Sequence, residues 1–302
     1  VGSADDWQAI FTGNAVINSN VIYNNSCYYK GGGICVEYCS DVSVNHNWIQ
    51  DNYVIGYSTY ANGVGGGICF EGCVDLVCNS NKIFENIGRV GGGGIVLLAG
   101  IDTTHAFSNN MICENTLSYA GQGAGVLIYG PTLSCTTDTV FVNNTIADNS
   151  VSPGWGGEGG GMAFFNIAVT IINGISWGNY ASPYSSRDEM LIGDGNWLHA
   201  YVTVSYSDID NGQGDCNAGV GSTLVWGTGN IDSDPIFYTY NNDNYHISLN
   251  SSPAVDVGNN NASYITTQDI DKEDRILQYI VDMGADEAKV YVTPGGPPGD
   301  DG

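Results

Sequence analysis

The chain has 302 residues, with 7 Lys and Arg against 32 Asp and Glu and a net charge of −25. Such a surface repels nucleic acid, anionic lipid headgroups and polyanionic polymers, and it attracts divalent cations. Hydrophobic residues make up 42%, ample for a core, and no apolar run approaches the roughly 18 residues of a membrane helix.

From the N-terminus, the chain opens on Val1 with no signal-peptide pattern, as a processed mature protein would. Its 9 cysteines point to an oxidising compartment, and the sequons at Asn24, Asn143, Asn250 and Asn261 agree with an extracellular location. GGGICVEYC at Gly31 to Cys39 returns as GGGICFEGC at Gly65 to Cys73, then as GGGI from Gly92, GAGV from Gly123 and GGGM from Gly159. A phosphate-binding loop would appear once and open a helix, whereas here an apolar, strand-like run follows each time.

Around and between the glycine runs lie AVINSNVIYNN, VSVNHNWIQDN, LVCNSNKIFEN, HAFSNNMICEN, TVFVNNTIADN and VTIINGISWGN, aligned without gaps. Each ends in Asn: Asn25, Asn52, Asn86, Asn115, Asn149 and Asn179. Asn20, Asn47, Asn81, Asn110 and Asn144 form a second column, and Ile22, Ile49, Ile83, Ile112 and Ile146 a third. Short β-branched segments punctuated by Asn and Gly exclude helical repeats. They predict an all-β coil, a right-handed parallel β-helix of about seven to nine turns, with the isoleucines stacked inside and the Asn amides laddered at the bends. The coils are expected over 1–230, an irregular C-terminal cap over 231–288 and a Pro/Gly/Asp-rich tail over 289–302.

The ending YVTVSYSDID, GNIDSDPIF, YHISLNSSPAVDVG and DIDKEDRI…VDMGADE resembles that of surface proteins in the pectate-lyase-like parallel β-helix superfamily. The resemblance implies the fold; its members include enzymes, adhesins and structural proteins, so it leaves function open. Lys272 to Asp274 interrupt the usual Asp-Gly-Arg order before Arg275.

Asp51, Glu85, Glu114 and Asp148 precede the Asn of four consecutive coils and would stack roughly 4.8 Å apart. Repulsion along such a column would draw Ca²⁺, as would the loop of Asp269, Asp271, Asp274 and Asp282; the alternative is a solvated edge. Glu37 and Glu71 make a shorter column. Cys35 aligns with Cys69 and Cys39 with Cys73, within reach of coil-to-coil disulfides or else as a ladder of thiols. Cys78 shares a column with Val44, Phe107 and Phe141 and belongs to the core. The one compact mixed cluster off the repeat is Arg187, Asp188 and Glu189, with Asp194 beyond; in a lyase such residues would supply base and acids.

These features favour a non-enzymatic extracellular structural or adhesive protein, assembling head to tail through its solenoid ends or contacting a glycan surface. A polysaccharide lyase, a glycosidase or a glycan-binding module is the alternative. The end around Trp7 to Phe11 and the tail from Val290 are expected to meet another copy, because a Pro- and Gly-rich tail orders only on an external template.

Overall fold

The computed structural model describes residues 13–56, 63–100, 103–130, 138–152, 157–181, 188–194, 198–240, 243–277 and 279–289. They wind as a parallel β-solenoid, with strands of successive turns stacked into sheets of eight, seven, five and seven. The third turn is representative: Leu76–Asn79, Lys82–Phe84 and Ile87–Gly88 lead through a glycine run to Ile95–Leu98. Five turns join all four sheets, and in the sixth a single bridge from Tyr180 to Ser150 replaces the short strand. Partial turns follow. The full turns are fewer than the sequence suggested, because the chain leaves the coil after Thr223–Trp226.

The register follows the sequence alignment. Ile22, Ile49, Ile83, Ile112 and Ile146 are consecutive partners, all buried except Ile22, which sits half-buried in the first described turn. Phe70 and Phe164 from one sheet flank Phe107 and Phe141 from another, with successive ring centroids 6.5, 4.7 and 6.1 Å apart. Cys78 is buried between Val44 and Phe107, as its column required.

Left-handed backbone at the corners belongs to the residue before each ladder Asn, not to the Asn itself. His46, Ser80, Asn109 and Asn143 take φ of 54, 52, 57 and 51°, and Asp51, Glu85, Glu114 and Asp148 take 54, 53, 58 and 52°. The following Asn is thereby turned inward. From Asn25 through Asn52, Asn86, Asn115 and Asn149 to Asn179, each donates its backbone N–H and its Nδ2 to the Oδ1 of the next, at 2.9–3.0 Å. The Nδ2 also reaches back one turn, as from Asn86 to the carbonyl of Ile49 at 2.9 Å. Asn20, Asn47, Asn81, Asn110 and Asn144 repeat the pattern at 2.9–3.0 Å.

The glycine runs are the third corner. The first Gly of each is left-handed, with φ of 52 to 70° for Gly31, Gly65, Gly92, Gly123 and Gly159. The third lies against the ladder: a Cβ on Gly67 would sit 2.7 Å from the carbonyl oxygen of Gly94 and 3.1 Å from Nδ2 of Asn86. A side chain there would push the two stacks apart.

Residues 232–289 do not cap an end. After an antiparallel hairpin, Phe237–Tyr240 with Asp243–Ile247, the described residues run without further strands along the outer face of the second sheet. Tyr245 stacks on Phe84 at 6.1 Å, and Ile270 and Ala285 pack with Met111, Cys113 and Ala147. The segment is a lateral strap, and it explains why Met111–Cys113 and Thr145–Ala147 are buried throughout.

Replacing Ile83 by Ala should cost about 2–5 kcal/mol through the cavity it opens. Asn115→Ala strands the two donors of Asn86 and the carbonyl of Ile83, and should cost about 2–4 kcal/mol despite removing no apolar group. Urea unfolding of both variants checks this; a near-neutral Asn115→Ala would show the ladder to be incidental.

Candidate functional site

The flank beneath the strap gathers most of the chemistry-bearing side chains. Asp51, Glu85, Glu114 and Asp148 do stack at one corner, each backbone N–H reaching the strand of the next turn. Donors meet three of the four. Gln50 Nε2 lies 2.6 Å from Glu85 Oε2, and the Tyr245 hydroxyl lies 2.9 Å from both Glu114 Oε1 and Asp148 Oδ2. The column is thus partly roofed by the strap.

Asp269, Asp271, Asp274 and Asp282 do not converge. Asp269 accepts the N–H groups of Asp271, Glu273 and Glu287, and Asp282 those of Asp256 and Ala288. Both are buried and shape the strap, while Asp274 is exposed. They enclose Arg275, whose guanidinium donates to the carbonyls of Ala285 and Gly284 at 2.7 and 2.6 Å and to Asn109 Oδ1 at 3.2 Å. Arg275 therefore ties strap to solenoid. Burial pushes Asp269 and Asp282 up to about 6 and Glu287 up to about 8.

Asp271 turns to different partners. Its Oδ1 lies 3.0 Å from Lys82 Nζ, and its Oδ2 lies 3.4 Å from Nδ1 of the buried His246. Asp286 Oδ1 lies 3.1 Å from the same nitrogen, and its Oδ2 accepts the N–H of Ile247 at 2.9 Å. Among the described residues this is the one group of three His, Cys, Asp or Glu side chains whose donor atoms all lie within 4.8 Å of one another. Sequence reasoning missed His246 and Asp286: they are 40 positions apart, and nothing local marks them as neighbours.

Of the mixed cluster, Asp188, Glu189 and Asp194 lie within the described residues, and each accepts a backbone N–H. Arg187 lies outside the described residues, as do Trp7 to Phe11 and the tail from Val290. Asp188 Oδ1 accepts the N–H of Ala181 at 2.9 Å, and Asp194 Oδ1 that of Leu198 at 3.2 Å. Glu189 is buried at the end of the first Asn ladder. Its Oε1 accepts the N–H of Asn179 at 3.0 Å, and its Oε2 accepts Asn179 Nδ2 at 2.7 Å and Ser176 Oγ at 2.6 Å. Burial pushes its carboxyl up to about 8, partly offset by those bonds.

Cys35, Cys39, Cys69 and Cys73 are free thiols, which corrects the expected disulfides. Cys35 and Cys69 are in register, but Cys73 Sγ is turned to the carbonyl of Val36 at 3.3 Å and Cys39 Sγ to that of Glu37 at 3.4 Å. Glu37 and Glu71 are also in register, with Lys30 paired to Glu71. Of the sequons, Asn24, Asn250 and Asn261 are exposed. Asn143 is buried and its Nδ2 donates to the carbonyls of Asp282 and Gly284 at 2.9 and 3.3 Å, leaving no room for a glycan.

Compared with protein-family models, curated proteins and solved structures, the chain matches none.

The buried carboxyls set the pH dependence of stability. Glu189 near 8 and Asp208 near 7, raised chiefly by burial, hold protons in the folded chain that the unfolded chain has lost. Their stabilising contribution is complete below the ordinary carboxylate range and is lost as pH rises through the folded values. The thermal midpoint should fall between about pH 5 and pH 8. Charge repulsion acts in the same direction, so the variant is the test: Glu189→Gln should flatten the fall by about 1.4 kcal/mol per pH unit in calorimetry. An unchanged slope would show that Glu189 is not the group responsible.

Proposed function

We infer that the protein is an extracellular structural or adhesive surface protein of the pectate-lyase-like kind, working by end-to-end association rather than by catalysis. The observation that carries this reading is the asymmetry of the two ends. Among the described residues the four strands of the first turn, beginning Asn14, Val21, Ser26 and Ile34, are edge strands paired on one side, as is Thr223–Trp226 at the other end, so the ends differ in their ladders. Val16 and Val21 are 70 and 77% exposed there. Among the described residues, the Oδ1 atoms of Asn20 and Asn25 accept no hydrogen bond, so both ladders run open at this end, while Glu189 closes one of them at the other. An open parallel edge with unused acceptors and exposed valines is a template for another chain. The acids lend support: Glu189, Asp269 and Asp282 are engaged in holding backbone, not aimed into a groove beside a base.

If so, the intact chain should polymerise with concentration, and Val16→Lys with Val21→Lys should leave a monomer whose melting is unchanged, as light scattering and electron microscopy would register. A wild-type chain monodisperse at high concentration, or a charged variant that assembles as before, would overturn the reading.

A glycan-binding role is the second reading. It rests on a polar pocket of about 200 Å³ lined by Asn166, His199, Tyr201 and Thr223, where Asn166 Oδ1 is buried without a hydrogen-bond partner and the Tyr201 ring is half exposed. A Tyr flank beside hydrogen-bonding groups suits a neutral sugar. Titration with neutral oligosaccharides should shift the His199 and Tyr201 resonances, and Tyr201→Ala should abolish the shift; no shift with any glycan removes this reading.

A further inference from the structure

We propose that His246, Asp271 and Asp286 bind a divalent first-row transition ion of the Zn²⁺ class, which staples the strap to itself above Lys82. Two carboxylate oxygens, Asp286 Oδ1 at 3.1 Å and Asp271 Oδ2 at 3.4 Å, converge on one imidazole nitrogen. One N–H has a single proton and satisfies one acceptor well; a divalent cation between the three atoms satisfies all of them. A second observation agrees: Asp271 Oδ2 is a buried atom with no hydrogen-bond partner.

The two carboxylates carry the supporting groups of metal ligands. Each carboxylate has its other oxygen fixed, Asp286 Oδ2 by the N–H of Ile247 and Asp271 Oδ1 by Lys82, which leaves one oxygen of each directed at the ring nitrogen. Such partners orient ligands and are as much a part of a site as the ligands. The charge balance is suitable. Two carboxylates and one ammonium sum to −1 with the imidazole neutral, the form in which it ligates a metal.

The donor set chooses the metal. Ca²⁺ takes oxygen shells, whereas one imidazole with two carboxylates suits Zn²⁺ and its first-row neighbours. Three protein donors leave a position for water. The ion answers a structural need, because residues 248–289 contain no strand or helix among those described. His246 comes from the hairpin, Asp271 from the Asp269 turn and Asp286 from the segment behind Arg275, so one ion would join three separate stretches.

The test uses the full chain, stripped with chelator under reducing conditions. Zn²⁺ should bind one per chain by calorimetry and raise the thermal midpoint by several degrees, reversibly with chelator, while equal Ca²⁺ does not. Co²⁺ should give visible d–d bands without the near-ultraviolet thiolate band that Cys35 and Cys69 would produce, and Zn²⁺ should erase them. That measurement on the unaltered protein stands even where a variant folds poorly. His246→Gln and Asp286→Asn should each weaken Zn²⁺ binding by more than about 100-fold, the ceiling for losing a supporting partner alone; Glu85→Gln, in the acidic column, should leave it unchanged. No stoichiometric binding, a thiolate spectrum, stabilisation by Ca²⁺ instead of Zn²⁺, or unaltered affinity in His246→Gln would each overturn the proposal and leave the three residues as a buried ion-pair cluster.

Discussion

A coil that turns sharply inside its own stack must bury backbone groups at every corner, and the asparagine amide is what satisfies them. Its Oδ1 takes two donors from one neighbouring turn while its N–H groups reach the other turn and a strand carbonyl. An unpaired buried donor or acceptor costs about 1–3 kcal/mol, so a single missing amide would undo several stacked residues' worth of packing. The rest of the architecture follows from this requirement. The residue before each Asn must turn left-handed, and the third glycine must have no side chain, because Asn86 Nδ2 lies 3.1 Å from where the Cβ of Gly67 would be.

The ladder also explains where the acids go. Asp51, Glu85, Glu114 and Asp148 stand at the left-handed position outside it, close enough to neighbours for Gln50 and Tyr245 to bridge them. Glu189 ends the stack in the place of a further Asn, supplying two acceptor oxygens where the repeat runs out. At the second corner the same role passes to Ser207, whose Oγ accepts the N–H of Gly174 at 3.0 Å, and then to Asn230. One ladder is therefore ended by Glu189, while among the described residues Asn20 and Asn25 leave the opposite end open.

Only 7 of the 302 residues are Lys or Arg, and two of them tie the strap to the solenoid. Arg275 reaches Asn109 from within it, and Lys82 reaches Asp271 from the solenoid. The strap has little regular structure, so its order comes from carboxylates that accept backbone N–H groups, from this pair of cations and from apolar contacts with Phe84 and Met111. In a chain with a net charge of −25, the few cations are concentrated where loop-rich chain has to be held.

The solenoid was legible in the sequence because each turn meets only its neighbours. A contact made once is made again about 30 residues later, and the columns of Asn, Ile and Gly are that repetition written down. The acidic column could be aligned for the same reason. The strap obeys no period. Arg275 meets Asn109 across 166 positions and Asp271 meets Lys82 across 189, contacts that occur once and leave no pattern to align. Hence the lateral course of residues 232–289, the burial of Asn143 beneath them and the meeting of His246 with Asp271 and Asp286 were decided by tertiary packing alone. Glu189 lies between the two cases. Its place after the last ladder Asn was in the sequence, but its role became visible only once the ladder had a direction, because a carboxyl group can end a run of donors where another amide would have continued it.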